Sequence, residues 1–174
     1  TVDIFENPSL LDVSGLGALR EIGHNLTLRS NAALTQVDGM SSLVSLGSTL
    51  QVDSNNSLSN LDGLTGLSAI GAEIQITDNT SLSQIDGLAS ITYLPSRLQI
   101  SNNVGLTSIG GLSNLTATGG DVLIQENPSL TNVDGLSSLE TVGHRLYIEN
   151  NDVLADIAGL SSLKSIEHDF YLQQ

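Results

Sequence analysis

Residues 50–73 read LQVDSNNSLSNLDGLTGLSAIGAE, and residues 74–97 read IQITDNTSLSQIDGLASITYLPSR. The two segments superpose without a gap. Each opens on an aliphatic-x-aliphatic pair, Leu50/Val52 and Ile74/Ile76, and an Asn follows at the same offset, Asn55 and Asn79. Working outward, the same pair recurs as Val2/Ile4, Leu26/Leu28, Leu98/Ile100, Val122/Ile124, Leu146/Ile148 and Phe170/Leu172, always 24 residues apart. No insertion or composition shift interrupts the series. Such a fixed period marks a stack of coils, each burying a face that it cannot bury alone.

The opening of each period alternates apolar with polar residues, as in Leu50-Gln51-Val52-Asp53, which predicts a short strand with one buried face. The later apolar positions come three apart, as in Leu58, Leu61, Leu64, Leu67 and Ile70. Gly and Asp interrupt most periods there, so one long amphipathic helix is excluded. A single 3₁₀-like turn and short extended pieces fit better. The expected fold is a strand-rich, leucine-rich solenoid of 24 residues per coil, with seven full coils and a terminal strand. Asn7, Asn31, Asn55, Asn79, Asn103, Asn127 and Asn151 form one column. Stacked at the strand spacing, their amides are expected to be buried and to bond both their own turn and the next coil. A column of Gly15, Gly39, Gly63, Gly87, Gly111, Gly135 and Gly159 implies either a positive φ or a close approach of coils.

Leu, Ile, Val and Phe make up 55 of 174 residues, which excludes disorder as the main state. Five basic residues against 19 acidic ones give a net charge of −14. Nucleic acid binding and attraction to an anionic membrane surface both need basic groups, and the chain has almost none. No apolar run approaches a membrane-spanning length. The absence of cysteine removes disulfides, thiolate metal sites and a Cys nucleophile.

At repeat level the chain resembles the leucine-rich repeats of receptor L domains. Its Leu falls three residues after the Asn, as in Asn127-Pro128-Ser129-Leu130, followed by Val133-Asp134-Gly135-Leu136-Ser137-Ser138-Leu139 and Val142-Gly143. Repeats of this type occur in the L domains of insulin- and EGF-type receptors and in fungal and bacterial surface proteins. The resemblance spans the whole chain. It implies a right-handed solenoid, exposure outside the cell or on its surface, and recognition without catalysis. Receptor L domains carry cysteine-bearing caps, which this chain lacks, so the resemblance points toward a microbial surface protein.

Several columns carry polar chemistry. His24, His144 and His168 share one, which makes His144 and His168 neighbours on adjacent coils, with Glu167 and Asp169 beside the latter. Turn residues in solvent are expected there rather than a metal site. Asp38, Asp62, Asp86 and Asp134 share another column, immediately before the turn glycine. They are expected to cap the one-turn helices rather than to hold calcium. Thr35, Ser59, Ser83, Thr107 and Thr131 form a mixed hydroxyl column broken by Leu11 and Ala155, a poor match to an ice lattice. No serine-nucleophile or phosphate-loop motif is present, so no catalytic residue, metal or cofactor is expected.

The outward strand columns are where recognition is expected. One runs Asp3, Thr27, Gln51, Gln75, Gln99, Leu123, Tyr147, Tyr171; the next runs Phe5, Arg29, Asp53, Thr77, Ser101, Gln125, Glu149, Gln173. Leu123, Tyr147 and Tyr171 should make an apolar-aromatic patch beside Gln125 and Glu149, suited to a protein or carbohydrate ligand. A structural alternative is a stalk or filament whose coils extend and stack. Residues 1–174 are expected to be one solenoid excerpted from a longer protein. End-to-end association would cover apolar groups such as Leu154, Ile157, Leu160, Leu163, Ile166, Phe170 and Leu172.

Overall fold

The computed structural model describes residues 1–174. Eight strands, Val2–Phe5, Leu26–Arg29, Leu50–Asp53, Ile74–Thr77, Leu98–Ser101, Val122–Gln125, Leu146–Glu149 and Phe170–Gln173, form one parallel sheet in chain order. Each residue pairs with the one 24 positions on, for example Leu50 with Ile74 and Gln51 with Gln75. The expected register is the observed one, and the chain is a β-solenoid. It contains no α-helix, and no helix long and apolar enough to cross a membrane.

Each coil continues from its strand into one 3₁₀ turn, such as Asp62–Leu64, and a two-residue strand, such as Ala69–Ile70. The apolar positions of the inner coils merge into a single cluster of 39 buried side chains, almost all aliphatic; those of the end coils are partly buried against it, and Phe170 and Leu172 are exposed. Asn31, Asn55, Asn79, Asn103, Asn127 and Asn151 are buried within the stack. The Asn79 Nδ2 donates to the Val52 and Thr77 carbonyls at 3.0 and 2.8 Å, and its Oδ1 accepts from the Asn55 amide at 2.9 Å. One side chain thereby ties adjacent coils together. Asn7 departs from the expected burial. It is exposed, because no coil packs on its outer side, although its amide still donates to Asn31 Oδ1 at 3.2 Å.

The structure decides between the two readings of the glycine column and corrects the expected capping by aspartate. No glycine has a positive φ; the left-handed positions are Glu6, Ser30, Ser54, Asp78, Asn102, Glu126 and Asn150, one step before each ladder Asn. The glycine column answers to close approach instead. A Cβ on Gly87 would lie 1.7 Å from the Leu61 carbonyl oxygen of the preceding coil, whereas one on Gly15 would meet nothing within 4 Å. Nor do Asp38, Asp62, Asp86 and Asp134 cap the turns, because each is already the first residue inside its turn. In five of the seven turns an acceptor sits two residues earlier, where a short polar side chain can reach forward to a free amide; Gln36 and Gln84, before Asp38 and Asp86, make no such bond. Asn60 Oδ1 accepts from the Asp62 amide at 3.0 Å, Asn132 Oδ1 from Asp134 at 3.1 Å and Asp12 Oδ1 from Ser14 at 2.9 Å.

The short strands form two sheets, of three and four strands, that break between Ala69–Ile70 and Tyr93–Leu94. Pro95 explains the break. Gly71 and Gly119, its equivalents in the neighbouring coils, donate to Leu46 and Leu94 carbonyls at 2.9 and 2.8 Å. Proline has no amide to give to Ile70.

Candidate functional site

The parallel register sets Leu123, Tyr147 and Tyr171 side by side, with Gln125, Glu149 and Gln173 in the adjoining row. Because strand side chains alternate, both rows face outward while Val122, Ile124, Leu146 and Ile148 fill the core. The two phenol rings lie 5.8 Å apart, tilted by 55°. Tyr147 is half-buried, and Tyr171 is 47% exposed. Tyr171 donates its hydroxyl to Gln173 Oε1 at 2.8 Å, and Gln125 Nε2 donates to Glu149 Oε2 at 3.0 Å. Tyr147, Glu149, Tyr171 and Gln173 line an open groove of about 330 Å³. The five residues expected from the sequence thus stand together.

One partner of this patch was not anticipated. The Arg145 guanidinium sits 5.4 Å from the centre of the Tyr147 ring, close enough for attraction by the ring's π face. Asp121 holds it there in a bidentate pair, accepting from Nε at 3.0 Å and Nη2 at 3.1 Å. Hydrogen bonding from Arg145, aided by His144, keeps the Asp121 carboxyl well below the usual carboxylate range despite partial burial, and Asp121 raises Arg145 in return. The sequence signal was available: an acid and a base 24 residues apart share a column. The same rule gives Arg29–Asp53, Arg97–Glu73 and Lys164–Glu140, with N···O distances of 3.3, 3.3 and 2.8 Å. Four of the five cations are therefore spent on ion pairs between neighbouring coils, and only Arg20 is left.

Elsewhere on the face, some polar side chains satisfy one another, whereas Ser101 Oγ is buried without a partner. Asp53 accepts from the Thr77 hydroxyl at 2.6 Å while pairing with Arg29, and Glu73 accepts from Gln75 Nε2 at 2.7 Å while pairing with Arg97. The tyrosine end differs in offering ring faces and a carboxylate oxygen, Glu149 Oε1, with no protein partner.

His144 and His168 are neighbours as expected, with ring centroids 4.2 Å apart. The carboxylate that reaches them is Asp121, 2.6 Å from His144 Nδ1, rather than the exposed Glu167 or Asp169. His24 stands exposed in the first coil, and no group of three or more His, Asp or Glu is arranged to hold a metal ion. In the hydroxyl column, Thr35, Ser59, Ser83 and Thr107 each donate to a carbonyl of the preceding coil at 3.1–3.4 Å. Their protons serve the scaffold. No protein family, curated protein or solved structure matches this chain.

Proposed function

We propose that the chain is a non-enzymatic recognition module of the leucine-rich, receptor L-domain type, displayed outside the cell or on its surface. It binds a protein or carbohydrate partner through the strand face at Leu123, Gln125, Tyr147, Glu149 and Tyr171. The repeat-level resemblance supports the family reading, together with the buried leucine columns and the Asn ladder that closes each strand.

The observation that carries the binding reading is the pair of adjoining phenol rings beside Leu123 on a mostly polar face. Tyrosine combines a large rigid apolar surface with a polar tip and loses little side-chain freedom when it is covered. Glycan and peptide arrays probed with the intact chain and with a Tyr147→Ala/Tyr171→Ala variant test it. A ligand held by the intact chain should be lost by the variant, because an anchor of this kind contributes about 2 kcal/mol. The variant's unfolding midpoint should stay close to that of the parent. Equal binding by both proteins would refute the reading.

A further inference from the structure

We infer that the Tyr147–Glu149–Tyr171–Gln173 groove receives the ammonium of a lysine side chain on a basic protein segment. The inference rests on the strand-face reading and narrows it to one partner chemistry. Charge supplies the first argument. Of 19 carboxylates, the four in cross-coil pairs, Asp53, Glu73, Asp121 and Glu140, are matched to Arg or Lys. The other fifteen are not. A polyanionic partner is repelled by such a surface, whereas a basic segment is drawn to it over several ångströms.

The groove then selects the kind of cation. Arg145 already lies over Tyr147 at 5.4 Å, so this ring accepts a positive charge against its face. The groove lies between that ring and Tyr171, with Glu149 on its wall. An arginine would want both carboxylate oxygens for a fork-like pair. Glu149 Oε2 already accepts from Gln125 at 3.0 Å and keeps one lone pair, whereas Oε1 carries no bond, so a single-point donor is favoured over a fork. An ammonium has three donors and needs single acceptors. The lining offers Glu149 Oε1, the lone pairs of the Tyr171 hydroxyl, and Gln173 Oε1, which accepts one bond from Tyr171 at 2.8 Å and has a second lone pair. The match is to lysine.

The test titrates the full chain at low salt with a tetralysine peptide. Parallel arms use the same peptide acetylated on every side chain, a glucosamine oligosaccharide and an uncharged glucose oligosaccharide. Tetralysine should bind and its acetylated form should not. Tyr147→Ala, Tyr171→Ala and Glu149→Gln should each weaken binding about two- to five-fold or more, as expected of a cation–π contact for the rings and of an exposed ion pair for the carboxylate. Asp38→Asn removes the same charge from an exposed turn of the second coil and should leave binding within about 1.5-fold, because separated surface charges are screened. Circular dichroism of each variant confirms that it is folded.

Tetralysine binding that falls equally in Asp38→Asn and Glu149→Gln, and not at all in the tyrosine variants, would overturn the site and leave only general attraction to an acidic protein. Tyrosine-dependent binding of the glucosamine oligosaccharide in preference to tetralysine would overturn the protein partner. Tyrosine-dependent binding of the uncharged oligosaccharide alone would overturn the ammonium inference while the strand-face reading stands. If no probe responds to either tyrosine, and array binding is equally indifferent to them, both readings fail.

Discussion

Replacing Asn79 by alanine removes the side chain that ties three consecutive coils. Its Oδ1 accepts from the buried Asn55 amide at 2.9 Å, and its Nδ2 donates to Val52 and Thr77 carbonyls at 3.0 and 2.8 Å. A longer contact reaches Asn103 Oδ1 at 3.2 Å. Three well-formed hydrogen bonds contribute about 1 kcal/mol each, and an orphaned buried amide costs a further 1–3 kcal/mol or so. The Thr77 carbonyl is spared part of this, since it also accepts from the Ser54 amide at 3.1 Å. Asn79→Ala should therefore destabilise by about 4 kcal/mol. Asn7→Ala is the internal control: that side chain is exposed, accepts no hydrogen bond, and water can replace its donations to Phe5 and Asn31. Its loss should cost about 0.5 kcal/mol or less. Urea unfolding at neutral pH, followed by far-ultraviolet circular dichroism, measures both, with hydrogen exchange to check that the coils unfold together. Costs for the two variants within about 1 kcal/mol of each other would refute the view that the ladder is a principal fastening of the stack.

Gly87→Ala should cost about 3 kcal/mol or more in thermal unfolding, because its Cβ would sit 1.7 Å from the Leu61 oxygen, while Gly15→Ala should be nearly neutral; comparable midpoints would contradict the close-approach account. Asp121→Asn should lower stability by about 1 kcal/mol at pH 7, a modest figure because the Arg145 side chain is 39% exposed. The Asp121 carboxyl is depressed in the folded state, so its contribution is complete above the ordinary carboxylate range and is lost as pH falls through the folded value; the gap between parent and variant should close in acid, and a gap that widened there would reverse the assignment. Pro95→Gly should leave overall stability near its starting point, the regained amide bond offsetting the lost chain stiffness. It should also slow hydrogen exchange at Thr92–Leu94, and unchanged exchange would mean that proline is not what splits the short-strand sheet.

What could be read from the sequence is what repeats with a hydrophobic signature. The aliphatic pairs set the strands, and the strict period fixes which residues neighbour one another, so the adjacency of Tyr147 with Tyr171 and of His144 with His168 needed no coordinates. The left-handed residues escaped because the position is filled by Glu, Ser, Asp and Asn, with no glycine to announce it. The turn caps escaped for a geometric reason: an acceptor two residues before a free amide reaches it better than one already inside the turn. Arg145 escaped because the eye follows apolar columns, and the charges flanking each strand pair only when compared across coils. Pro95 was visible, but its effect depends on knowing that the equivalent glycines donate to the preceding coil.

The coils are also internal controls for one another. Inward columns are confined by packing on both sides, and the ladder Asn and turn Gly are identical in all seven coils. Outward columns are free of that constraint, and the same scaffold carries Gln51, Gln75 and Gln99 in three successive coils before changing to Leu123, Tyr147 and Tyr171. At that change the buried frame continues as before, with Val122 and Ile124 in the core, Asn127 in the ladder and Gly135 against the Ile109 carbonyl. A glutamine-bearing coil stacks in the same register as a tyrosine-bearing one. Folding therefore does not require the phenol rings. A half-buried ring such as Tyr147, unnecessary to its own coil, keeps apolar surface in water with little return to the fold. Covering it returns that surface to an apolar contact, and the groove between Tyr147, Glu149, Tyr171 and Gln173 is where the covering group would sit.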